Sequence, residues 1–258
     1  MTLYHCTLTL HDNVFFATRE MGILYETEKY LHNWAISYAL FNVEYIPQPY
    51  RLHGQAAQKP GYLDANAEQN LLYLNQAGIY VFPAQPLHWS YQVNTFKAAQ
   101  VAYYGKSKQF GDKGADRNYP INYGRAKELA VGSQYRTYIV APEHLKIPHW
   151  IRLGKWAAKV QVEVIPIPDS VLSTQSGEYI CSHPLNPIDL PADTRLMLYN
   201  RIVMPPVSLV SQAQLTGDYL ESTGDAWKSL RAQFPQLPER IRLPKGAFYG
   251  ASHVATAS

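Results

Sequence analysis

Between Lys97 and Lys159 the chain places twelve lysines or arginines against four acids, a local charge of +8. The whole 258-residue protein carries a formal +3, so the remainder carries −5. Tyr103, Tyr104, Tyr119, Tyr123, Tyr135, Tyr138, Trp150 and Trp156 are interleaved with these cations. Cations neutralise phosphates and flat rings stack on bases, so the mixture suits single-stranded nucleic acid, RNA above all. A solvated loop beside strands whose tyrosines belong to the core has the same composition. The candidate RNA contacts in this stretch are Tyr104, Lys106, Lys108, Lys113, Arg117, Arg125, Lys127, Lys155 and Trp156, and Arg19 joins them from a loop after the first strand. Arg19 precedes a helix, where a cation can share a phosphate with exposed backbone amides. Lys155 and Trp156 read either as a phosphate contact with a stacking ring or as a solvated lysine beside a core tryptophan.

Other chemistries find little support. His144 and His149 flank Pro148 without a Cys, Asp or further His at ligand spacing, so no metal is expected. No G-x-x-x-x-G-K-[ST], G-x-G-x-x-G, G-x-S-x-G or H-E-x-x-H motif occurs, which argues against nucleotide hydrolysis, dinucleotide binding and common hydrolase chemistry. No cofactor is expected. Metal-free RNA cleavage needs a base, an acid and a cation, and His32, Tyr38 and Lys155 could supply them. Tyr38, with Trp34, also fits the core face of a helix.

The elements that must position these residues follow from periodicity. Tyr4, Cys6, Leu8 and Leu10 alternate with His5, Thr7 and Thr9, which predicts a first strand. Leu31, Trp34, Ala35, Tyr38 and Phe41 fall at helical spacing from about Glu28, with Thr27 as cap. Asp64 can cap a second helix through Leu71, Leu72 and Leu74, with Gly78 beyond its end. A short strand over Ile79 to Phe82, a proline turn and a β-prone run from Tyr91 to Tyr104 come next. The glycine-rich, basic segment 105–124 lacks apolar periodicity, and a loop this long commonly binds something. The chain resumes as a strand through Tyr135, Thr137 and Ile139, so residues 97–140 read as a protruding hairpin arm with a basic tip at 105–124. Val160, Val162 and Val164 alternate with Lys159, Gln161 and Glu163, which predicts another strand. Beyond Pro166 the prolines suggest edge strands and irregular segments, with a strand over Leu196 to Met204. Asp225 can cap a last helix through Trp227, Leu230 and Phe234.

With 47% hydrophobic residues, the chain has ample material for one α+β domain spanning residues 1–258. Cys6 and Cys181 are expected to be buried thiols in a reducing cytoplasm. The uncharged run 30–43 contains His32 and Asn33 and is too short to cross a bilayer, and the N-terminus reads as a strand rather than a secretion signal.

The segment His11-Asp12-Asn13-Val14-Phe15-Phe16-Ala17-Thr18-Arg19-Glu20, continued by Leu24-Tyr25-Glu26-Thr27-Glu28 and Leu31-His32-Asn33-Trp34-Ala35, resembles the small Cas-five-like protein of type I-D CRISPR effector complexes, the Csc-one family. Ile151-Arg152-Leu153-Gly154-Lys155-Trp156 is similar to that family too. The resemblance implies a ferredoxin-like, RNA-recognition-like antiparallel sheet with a protruding basic hairpin. It implies a cap that grips the five-prime handle of the CRISPR RNA and adjoins a Cas-seven-like backbone subunit and the large subunit, close to the duplex flanking the target DNA. A separate nuclease usually trims the guide in this class, although some Cas-five relatives cut RNA themselves. No family catalytic motif carries over to these residues.

Overall fold

A computed structural model of the chain describes residues 1–41, 61–65, 70–97, 123–142 and 145–251. In chain order its elements are β1 (Thr2–Leu10), β2 (Arg19–Met21), β3 (Leu24–Glu26), α1 (Asn33–Leu40), α2 (Leu72–Gln76), β4 (Tyr80–Val81), β5 (Gln85–His88) and β6 (Tyr91–Lys97). They continue as β7 (Tyr123–Leu129), β8 (Gln134–Ala141), β9 (Trp150–Leu153), β10 (Ala158–Ile167), β11 (Leu172–Cys181), β12 (Arg195–Ile202), β13 (Leu209–Ser222), α3 (Gly224–Gln233) and β14 (Arg242–Pro244). The described residues are mostly β, as expected.

The central sheet runs β4-β8-β1-β10-β9, with β5 also pairing β8. β1 lies at its centre because both of its faces find cover. Leu8 stands between Tyr135 of β8 and Val162 of β10, both in antiparallel register. The expected apolar row of Tyr4, Cys6, Leu8 and Leu10 packs with Ile36 and Leu40 of α1 and with Ile151 and Leu153 of β9. Burying each such aliphatic side chain is worth about 1.5 to 3 kcal/mol. α1 touches β4 and β9, the two opposite edges of the sheet, so the sheet curls around that helix.

The second row of β1 is divided. Leu3 joins Tyr138, Ile165 and Ile167 in a core shared with Cys181, Leu215 and Val210 of a second antiparallel sheet, ordered β11-β13-β12 with β14 against β13. His5 is fully buried at that end. Towards Thr9 the second sheet no longer covers this face, and its residues are half-buried or exposed. Burial pushes the thiols of Cys6 and Cys181 up to about 12, and both cysteines are free.

Several local expectations change. α1 starts at Asn33, where the His32 ring accepts from the Trp34 amide at 3.2 Å. Thr27 instead clamps the backbone of Phe16, its Oγ1 accepting from the amide at 3.0 Å and donating to the carbonyl at 2.9 Å. Asn70, rather than Asp64, accepts from the first amide of α2 at 3.0 Å. Asp225 lies in the first turn of α3, one residue inside Gly224, and Thr223 is the cap. β6 pairs with β7, a strand not anticipated, whereas β8 belongs to the central sheet. The run Gly124, Ala126, Glu128 buries one row of β7 without large apolar side chains, so its alternation is hard to read.

The resemblance implies a ferredoxin-like order. In the sheet described, β1 is antiparallel to both neighbours, and the parallel pairing is that of β3 with β7 in a third, smaller sheet ordered β2-β3-β7-β6. The β-rich C-terminal segments expected after Pro166 are present as β11 to β14, although the 14-residue β13 is a central strand rather than an edge. Among the described residues no helix is long and apolar enough to cross a membrane.

Candidate nucleic-acid interface

The ten candidate contacts divide three ways. Tyr104, Lys106, Lys108, Lys113 and Arg117 lie outside the described residues. Arg19, Arg125 and Lys127 lie on the small sheet. Lys155 and Trp156 lie on the turn from β9 to β10.

On the small sheet, strand alternation separates two faces. Gly124 and Ala126 point inward and Arg125 is exposed. A Cβ on Gly124 would meet Phe96 at 2.5 Å, so glycine lets that ring lie against the strand. Arg19 lies on β2 rather than in a loop, in a hairpin whose turn uses Gly22 at φ +62. Its guanidinium pairs with Glu28 at 2.8 Å instead of standing free at a helix start. Lys127 pairs with Glu26 at 3.0 Å and lies 4.4 Å above the Tyr91 ring. Burial, followed by Glu28 and Glu26, raises the Tyr91 phenol to about 12. Arg125 pairs in register with Leu24 and Thr95 and has no carboxylate partner among the described residues.

The β9–β10 hairpin is built differently. Gly154 turns the chain at φ +76, and a Cβ there would lie 2.7 Å from the Phe15 carbonyl oxygen, so no other residue fits without movement. The Lys155 amide donates to that carbonyl at 2.8 Å, which leaves the Lys155 side chain in solvent. Trp156 stacks on Phe15 at 4.6 Å and meets Phe96 edge-on at 6.0 Å, yet is 49% exposed. It is neither a core tryptophan nor a free ring. The contact with Phe96 sets the turn against the C-terminal end of β6, so the structure brings Lys155 and Trp156 to the edge of the small sheet.

The same hairpin supplies contacts missing from the candidate set. Trp150 opposes Gln161 and Arg152 opposes Lys159 in antiparallel register, so all four share one face. The row continues through Thr9 of β1 to Gln134 of β8 along the uncovered part of the sheet. Trp150 is 45% exposed, with the Lys159 ammonium 4.1 Å from its ring and His11 edge-on at 5.0 Å. Arg152 reaches Asp12 only at 3.9 Å, with both side chains mostly exposed. A readable signal existed. Between Glu143 and Glu163 the chain has Lys146, Arg152, Lys155 and Lys159, two tryptophans and no acid. Chemically, this edge offers unneutralised cations for phosphates and two accessible indoles for stacking.

Of the residues considered for RNA cleavage, Lys155 is solvent-exposed and His32 is engaged on both ring nitrogens. Nε2 of His32 donates to the Val207 carbonyl at 3.2 Å while Nδ1 accepts from Trp34, and burial lowers the ring to about 4. Burial, with Tyr62 nearby, raises Tyr38 to about 12. Among the described residues no group of three or more His, Cys, Asp or Glu gathers as a metal site would require.

The chain is similar in fold to a chain from the cryo-EM structure of the type III-B Cmr-beta bound to cognate target RNA and AMPPnP, with 9% identity, 91% of this chain and 90% of that one covered, and a TM-score of 0.44. It is also similar to a CRISPR protein from Archaeoglobus fulgidus, with 10% identity, 87% and 97% covered, and a TM-score of 0.37. No curated protein matches it significantly in sequence. The family model described as type I-D CRISPR-associated protein Cas5/Csc1 matches residues 1–252, nearly the full length. On that match, the chain belongs to the type I-D Cas5/Csc1 family of CRISPR-associated proteins.

Proposed function

We propose that this chain is a non-catalytic subunit of a type I-D CRISPR surveillance complex that holds the five-prime handle of the CRISPR RNA and joins the backbone and large subunits, close to the duplex flanking the target DNA. The observation that carries the reading is the β9–β10 hairpin, where Arg152, Lys155 and Lys159 and two exposed indoles, Trp150 and Trp156, occur before the first acid, Glu163. Family membership supports a place in an effector complex, and the hairpin supports RNA as the ligand within it. Phosphates would lie against Arg152, Lys155 and Lys159, with splayed bases on Trp150 and Trp156. In this reading the basic segment 105–124 adds further phosphate contacts from the strands β6 and β7 that lead to it. A ferredoxin-like ancestry of the central sheet belongs to the same reading. The engagement of both His32 nitrogens supports a binding role rather than RNA cleavage.

The test is a titration of guide RNA with and without its handle, at several salt concentrations. The full chain should prefer the handle. Arg152→Glu/Lys155→Glu/Lys159→Glu, and separately Lys106→Glu/Lys108→Glu/Lys113→Glu, should weaken binding and flatten its salt dependence. Unchanged affinity and slope in both variants would reject the reading. Defined cleavage of precursor RNA in EDTA at stoichiometric protein would reject its non-catalytic part.

A further inference from the structure

From the segment after β1 across the small sheet runs a chain of side-chain amides between two fixed ends. At one end the Val131 amide donates to Oδ1 of Asn13 at 2.9 Å. Nδ2 of Asn13 donates to Oε1 of Gln92 at 3.3 Å, and Nε2 of Gln92 donates to Oδ1 of Asn94 at 3.4 Å. At the other end Nδ2 of Asn94 donates to Oε2 of Glu128 at 2.6 Å. A backbone N–H can only donate and a carboxylate only accepts, so both ends impose the same direction on all three amides. Glu128 is buried and its Oε1 has no hydrogen-bond partner among the described residues, so no other donor draws the carboxylate away from Asn94. Every amide oxygen in the row is therefore occupied, and each amide keeps one N–H without a partner among the described residues.

We propose that this row reads a base of the bound RNA and selects guanine or uracil over adenine or cytosine, an inference that rests on the RNA-binding reading above. A row that offers N–H donors while its amide oxygens are spent fits the exocyclic oxygen of guanine or uracil. It meets the exocyclic amine of adenine or cytosine donor to donor. The location suits a base. Gln92, Asn94 and Phe96 alternate along one face of β6, where Gln92 is exposed and Asn94 and Phe96 are half-buried. Trp156 meets Phe96 edge-on and lays one face on Phe15, so its opposite face is the one exposed for stacking. Asn94 is two residues, about 7 Å, along β6 from Phe96, so a base stacked on Trp156 can present its edge to the row. A phosphate fits less well, because the Glu128 carboxylate closes the row and repels a second negative charge beside it.

The test measures, by fluorescence anisotropy, binding of the full chain to guide RNAs whose handle nucleotides are exchanged one at a time between guanine and adenine or between uracil and cytosine. At one position the change to adenine or cytosine should weaken binding roughly tenfold. Gln92→Met, at an exposed position, should keep the urea midpoint near its wild-type value and cut that ratio to about threefold or less. Gln92→Glu, which puts acceptors where the amide stood, should bring the two bases level or reverse the preference. Each result is a ratio between two RNAs, so a uniform loss of affinity from the added charge cancels. Equal binding of all these RNAs by the wild-type chain would overturn the base selection and leave the RNA-binding reading standing. So would a ratio that both Gln92 variants leave unchanged. A loss in Gln92→Met that is the same for every RNA and lowers the salt slope would mark a phosphate contact and overturn it too. A wild-type chain that binds no guide RNA would remove both.

Discussion

The small sheet and the β9–β10 hairpin are both basic, and they differ in what neutralises them. On the small sheet, Arg19 meets Glu28 at 2.8 Å and Lys127 meets Glu26 at 3.0 Å. On the hairpin, the nearest carboxylate to Arg152 is 3.9 Å away, and the Lys159 ammonium lies over the Trp150 ring instead. A cation that already holds a carboxylate must release it to hold a phosphate, whereas one held only by a ring or by water does not. Counting cations along the chain therefore overstates the small sheet and understates the hairpin.

The largest expected effect is on the platform that both regions share. Burial lowers His32 and, with Arg136 nearby, His5 to about 4, and it lowers His183 as well. A histidine depressed in the folded state contributes stability above its unfolded value of 6.5 that is lost as pH falls towards about 4. Each of His5 and His32 is worth about 3 kcal/mol across that window. Asp189 has the opposite sign. Burial raises it to about 6, so its contribution is present below 3.8 and is lost as pH rises through about 6. On balance acid destabilises by roughly 3 kcal/mol. Urea melts at pH 7 and pH 4.5 should show the loss, and His5→Phe, which can keep the edge contact with Tyr138, should flatten it. RNA binding should fail with unfolding and no earlier, and loss of binding ahead of unfolding would place a titrating group in the interface.

At constant pH the hairpin should dominate binding. Arg152→Glu/Lys155→Glu/Lys159→Glu is expected to weaken guide RNA binding roughly a hundredfold and to reduce the salt slope by about 2, read by fluorescence anisotropy. The corresponding reversal of Arg19 and Lys127 should instead lower the urea midpoint, because Glu26 and Glu28 lose their partners. A swap of these two outcomes would invert the comparison.

How much of this was legible depends on where the periodicity was clean. β1 and β10 alternate strictly, and both lie where expected. The start of α1 was obscured because Thr27 is a plausible cap by type but is spent on Phe16, while His32 caps with a ring nitrogen. β7 was obscured because its inward row is Gly124, Ala126 and Glu128. Arg19 was identifiable as a cation near a helix, but its carboxylate partner nine residues on was not. Trp150, Arg152 and Lys159 were visible in the basic stretch. Their shared face depends on the register of β9 with β10, which spacing alone does not supply.

The turn that presents Trp156 gives a third measurement. Gly154→Val forces a β-branched residue into φ +76 and against the Phe15 carbonyl. The cost should be about 2 to 3 kcal/mol in urea titrations. Trp156 should also leave its stack on Phe15, with a red shift of its emission. If RNA affinity falls while the protein remains folded, turn geometry as well as charge carries the hairpin's role. If it is unchanged, Trp156 is a packing residue and Trp150 is the ring that matters.

The smallest effect is the most discriminating. Lys127→Met keeps the length of the side chain but loses the ion pair with Glu26 and the cation over Tyr91. Those two contacts together are worth about 1 kcal/mol at a half-exposed site, so the urea midpoint should fall slightly. Lys159→Met on the hairpin loses only the contact with Trp150 and should cost less stability. The salt slope of guide RNA binding should respond in the reverse order, falling by about 0.7 for Lys159→Met and not at all for Lys127→Met. A slope that moves with Lys127 would mean that RNA displaces Glu26, and carboxylate pairing would then no longer distinguish structural cations from binding ones in this fold.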